Sequence, residues 1–70
     1  MINSDQELKV TLDRVRQFQL QVANLRHVER NPDNYRLSAS GYLAELDRMT
    51  LEIRDYLWSH PAETRSEATA

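Results

Sequence analysis

Apolar residues along this chain recur at helical spacing, and they do so in two successive blocks. In the first, Leu8, Leu12, Val15, Phe18, Val22 and Leu25 are separated by steps of three or four residues, which puts them on one stripe of a helix with about 3.6 residues per turn. Ser4 and Glu7 have the S-x-x-E form of a capping box, in which the serine oxygen accepts from the third helical N–H and the glutamate reaches back. The pattern predicts a first helix over about residues 4–29. Asn31-Pro32 ends it, because the residue before a proline is pushed out of the α region.

The second block begins three residues past that proline. Tyr35, Ala39, Tyr42, Leu46, Met49, Ile53 and Tyr56 alternate steps of four and three in an unbroken heptad seam. Pro32 suits the first helical position, where its missing N–H has no intrahelical partner, and Asn31 is a good N-cap. A second helix over about residues 32–59 is predicted, stopping before Pro61. A start at Ser38 or Ser40 competes with it, since Ser38–Gly41 makes a poor helix interior and Gly41 costs about 1 kcal/mol against alanine; the early start is favoured, frayed through Ser38 to Gly41. Two helices of similar length joined by a short link make an antiparallel hairpin over residues 1–60. Residues 61–70 read as a disordered polar tail.

A second apolar row on the second helix changes the picture. Leu37, Ala44, Leu51 and Trp58 repeat at a strict seven and lie about 160 to 200 degrees around from the Tyr35–Tyr56 seam. Leu43, Thr50 and Leu57 form a flank between the two, and Val10, Leu20 and Val28 stand off the main stripe of the first helix. One partner helix cannot cover both rows, and each large side chain left in water forfeits about 1.5 to 3 kcal/mol. The fold class expected is therefore all-α, a two-helix hairpin dimerising into a four-helix bundle, with Leu37, Ala44, Leu51 and Trp58 at the interface. The competing reading leaves that row exposed or partly covered by the tail. Spacing alone leaves open which seam faces the hairpin and which the second chain.

Size and composition point the same way. A chain of 70 residues buries only about 60% of its unfolded surface and usually needs disulfides, a metal or oligomerisation. With no cysteine, disulfides and thiolate metal sites are excluded and oligomerisation is left. Nine basic and eleven acidic residues are interspersed, for a net charge of -2, which argues against a nucleic-acid binder with a basic footprint. No signal-peptide pattern and no apolar stretch near the ~18 residues of a membrane span are present. The expectation is a soluble, cytoplasmic protein with no membrane partner.

Candidate chemistry is sparse. His27 and His60 lie at the ends of different helices and suit no metal site with neighbouring carboxylates; a partly protonated His60 would favour a helix carboxyl end. Glu45, Glu52 and Asp55 fit solvated faces and local ion pairs such as Glu52 with Arg48 or Asp47 with Arg54. No nucleotide-binding, zinc-protease or hydrolase motif occurs, and a single glycine forms no phosphate-cradling loop. The reading is of a non-enzymatic protein with no catalytic, metal or cofactor-binding residue. Arg26, Arg30 and Arg36 cluster around the predicted link and are the candidate contact for an anion or an acidic partner. They carry the alternative reading, a small nucleic-acid-associated regulator whose affinity would fall steeply with salt. Tyr35, Tyr42 and Tyr56 belong to the heptad seam and read as core rather than as base-stacking platforms with Trp58.

The opening I-N-S-x-x-E at Ile2 to Glu7, Pro32, and the Leu46, Met49, Ile53, Tyr56 spacing with acidic residues between resemble the helical segment that precedes the helix-turn-helix in XRE-type bacterial antitoxins. The resemblance spans about residues 1–58. No helix-turn-helix follows up to Ala70, so what it implies is dimerisation or contact with a toxin, not operator binding. Together the two lines predict a self-associating interaction module, a homodimer with a toxin or other regulator as its protein partner.

Overall fold

A computed structural model describes residues 1–62. Its two elements are α1 (Asp5–Val28) and α2 (Pro32–Trp58), which pack antiparallel along their length. Among the described residues there is no strand. The expected tail falls, from residue 63 on, outside the described residues.

Each boundary follows from its cap. The Ser4 side chain accepts from Glu7 N–H at 3.1 Å, while the Glu7 carboxylate accepts from the N–H of Asn3. The box is thus reciprocal but displaced by one residue from the usual form, in which the glutamate reaches the cap residue itself. Asn31 Oδ1 accepts from Asp33 and Asn34 N–H at 2.9 and 3.3 Å, satisfying two of the otherwise unpaired donors of the first turn. With Pro32 supplying a preset φ, α2 takes the early start. The expected fraying through Ser38 to Gly41 does not occur: the helix is continuous there, and Ala39 is 1% exposed against α1. At the far end the Ser59 hydroxyl donates to Tyr56 O at 2.8 Å.

The inward face of α2 is the Tyr35–Tyr56 seam. Ala39 and Met49 are buried and Tyr35, Tyr42, Leu46, Ile53 and Tyr56 are half-buried. Phe18 meets Tyr42 edge to face with ring centroids 5.4 Å apart, and Tyr56 donates from its hydroxyl to Asp5 at 2.6 Å. Moving along α1 from Asp5 to Phe18 thus steps back along α2 from Tyr56 to Tyr42, the register of an antiparallel hairpin. On α1 the stripe holds except at Leu12, which is half-exposed, and Thr11 takes a half-buried place beside it. Ile2, ahead of the cap, is 7% exposed and lines a groove with Met49.

The core is small. Ile2, Ala39 and Met49 are the buried apolar residues among those described, and α1 contains none. Among the described residues a single helix–helix seam makes up that core.

Candidate interaction surface

With the seam assigned, the second row of α2 necessarily points away from α1. Trp58 is 88% exposed, Leu37 76% and Leu51 55%, and Ala44 is exposed between them. The flank is also open: Leu43 and Leu57 are exposed, and so is Thr50. Leu57 edges a groove with Leu8 and Tyr56 where the helices meet, so apolar surface runs from that edge around the back of α2. Singly exposed leucines are ordinary, but here two exposed apolar rows at the same seven-residue repeat share one side of α2, with the exposed polar line Ser40, Asp47 and Arg54 between them.

The opposite edge of the hairpin is polar. Arg48 reaches both Glu45 and Glu52, the latter at 3.2 Å, and the N-terminal ammonium pairs with Glu52 at 3.2 Å. The hydrogen bond to Glu45 and the charges of both glutamates hold the Arg48 guanidinium above its ordinary pKa. A groove of about 570 Å³ runs along this edge, with Glu7, Arg14, Arg48 and Glu52 on its walls beside Ile2, Val10 and Met49. These ion pairs are exposed, where water screening leaves them little net worth. They make this edge a solvated one, in contrast to the leucine-rich edge across the hairpin.

One expected pairing needs correction. Asp47 does not pair with Arg54 on the same chain; the carboxylate nearest Arg54 is that of Asp55 at 3.7 Å. Seven residues span two turns, about 10 Å of helix, too far for side chains on one face to meet. Beyond the end of α2, His60 Nδ1 lies 3.0 Å from the Ala62 N–H and accepts from it.

The arginines at the link are exposed. Arg36 lies 3.7 Å from Asp33, and Glu29, between Arg26 and Arg30, accepts from Asn31 N–H. The Glu29 carboxylate is thus spent partly on the turn and that of Asp33 on Arg36. Among the described residues no three histidine, aspartate or glutamate side chains converge as a metal site, and no helix is long and apolar enough to cross a membrane. Comparison with protein families, with curated proteins and with solved structures finds no match.

Proposed function

We propose that this chain is a self-associating helical hairpin, a non-enzymatic interaction module that acts in the cytoplasm as a small regulatory or antitoxin-like subunit. The observation that carries the reading is the outward row of α2, with Leu37, Leu51 and Trp58 all more than half exposed on a hairpin in which Met49 is, among the described residues, the one fully buried large side chain. Burying a leucine or tryptophan contributes about 1.5 to 3 kcal/mol or more. Three such residues are comparable with the whole stability of a small domain, about 5 to 15 kcal/mol. A second hairpin laid on this face would bury the row and complete a four-helix bundle. The antitoxin resemblance supports a regulatory role, with a toxin as the further partner.

The test is the solution mass by light scattering, across dilution from ~100 to ~1 µM, a range that brackets ordinary dimer affinities. A mass of two chains at the upper end is the expected result. A folded monomer at every concentration would overturn self-association.

A further inference from the structure

The outward face of α2 also carries information about how a second copy would be oriented; this step rests on the self-association proposed above. Between the Leu37–Trp58 row and the Leu43–Leu57 flank runs a third line at the same repeat: Ser40, Asp47 and Arg54. It lies in the middle of the apolar surface, so any helix docked there passes over it. Asp47 makes no hydrogen bond or ion pair among the described residues, and Arg54 has only the loose 3.7 Å approach to its neighbour Asp55. Among the described residues, therefore, an acid and a base sit between two apolar rows without close partners. They are two turns apart, so they cannot satisfy each other.

We propose that the second copy docks with its α2 antiparallel to this one, about a two-fold axis passing beside Thr50 and Leu51, so that Asp47 of each chain pairs with Arg54 of the other. Charge complementarity selects this arrangement. Parallel, in-register helices would set Asp47 against Asp47 and Arg54 against Arg54 at the same height, and like charges so placed oppose association. The antiparallel register satisfies both groups twice, as the isologous contact of a symmetric dimer requires.

Side-chain size agrees with the same axis. Thr50 and Leu51 meet their own copies beside the axis, and Leu43 falls opposite the partner's Leu57. Ala44, the one small residue of the row, falls opposite the partner's Trp58, the largest and the most exposed member of the row at 88%. Large against small is how facing helices interdigitate. Leu37 lies beyond the end of the partner's helix and adds least.

The absence of cysteine makes the orientation directly readable. Thr50→Cys and Ser40→Cys each place one thiol at an exposed polar position of α2. In the antiparallel dimer the two copies of residue 50 meet beside the axis, whereas the copies of residue 40 stand about 30 Å apart at ~1.5 Å of rise per residue, far beyond the ~7 Å Cα limit of a disulfide. On air oxidation T50C should become a covalent dimer and S40C should stay uncrosslinked. Crosslinking of both variants would mean parallel helices, and crosslinking of neither, while the mass still reads two chains, would mean another face; either overturns the proposal. A monomeric parent protein would instead overturn self-association itself.

Charge reversal provides the independent check. Asp47→Arg and Arg54→Asp should each weaken homodimerisation by about tenfold or more, while mixing the two single variants restores a dimer of one chain of each kind. Helical circular dichroism of each variant separates loss of pairing from loss of fold. Folded single variants that dimerise as tightly as the parent would overturn the pairing.

Discussion

The two faces of α2 are built on the same seven-residue repeat and meet opposite surroundings. The inward seam places Met49 at 2% exposure against α1, whereas the outward row leaves Trp58 at 88%. What separates them is not apolar content but the presence of a cover. α1 supplies a single stripe, from Leu8 to Leu25, and a stripe about one helix wide closes one seam only. The inward seam is then fixed by shape, with Phe18 edge-on to Tyr42 and Ala39 allowing close approach of the helices. The outward row has an equally regular pattern and no such fixing among the described residues. A heptad row states that a helix expects a neighbour, and only the rest of the assembly states which one.

The sharpest way to break the contrast is to charge each face in turn. Met49→Asp should abolish the folded hairpin outright, because it puts an unpaired carboxylate at the one fully buried large side chain. Even the milder Met49→Ala should cost about 2 to 5 kcal/mol, most of what a domain this small has. Helical circular dichroism during thermal melting reads both. Leu51→Glu should act differently: the hairpin contacts are untouched, and the loss appears as a fall in mass to one chain with a concentration-independent melt. Leu37→Glu, at the end of the row, should weaken the dimer less than Leu51→Glu. A Leu51→Glu chain that remains a dimer with an unchanged melt would remove the outward row from the interface.

The caps give the next effect, and they act on the hairpin rather than on its association. Asn31→Ala removes the acceptor of two N–H groups at the start of α2, and Ser4→Ala removes the acceptor for Glu7. Each should lower stability by about 1 kcal/mol, with no change in the mass of the folded species. Gly41→Ala should move stability the other way by up to about 1 kcal/mol, since a Cβ added there meets nothing within 4 Å. Thermal melts of the three variants order them against the parent, and a destabilised Gly41→Ala would show that something does cover that position in the assembly.

These differences also explain which features could be read before the fold was seen. Helix existence, the link and the early start at Pro32 were legible because they are local: a cap residue, a proline and a periodic stripe act within a few residues of one another. The capping glutamate was legible in kind but not in target, since Asn3 and Ser4 offer adjacent N–H groups to the same carboxylate. Burial of Ile2, the bond from Tyr56 to Asp5 and the choice of inward seam depend on residues some fifty positions apart in sequence or on the register of the hairpin, and no local pattern encodes them. Opposite charges on one face invite the pairing of Asp47 with Arg54, but a spacing of two turns forbids it, which a helical repeat read for sign alone does not reveal.

The smallest predicted effect sharpens the comparison by titration. On the inward side, the hydrogen bond to Asp5 is the largest influence on Tyr56, followed by partial burial and the negative charges of Asp5 and Glu7; all raise the phenol above its ordinary pKa of 10.0. A group whose folded pKa lies above its unfolded value binds its proton more tightly in the folded state, so its contribution to stability is fully present below pH 10 and is lost as the pH climbs through the folded value. The parent hairpin should therefore lose stability above about pH 10 more steeply than Tyr56→Phe, which lacks both the bond and the titration. A pH series of thermal melts on the parent and Tyr56→Phe, paired with mass measurements, should then show alkaline loss of the hairpin. If the two proteins run parallel above pH 10, Tyr56 does not hold the open end of the hairpin in the way its 2.6 Å bond to Asp5 indicates.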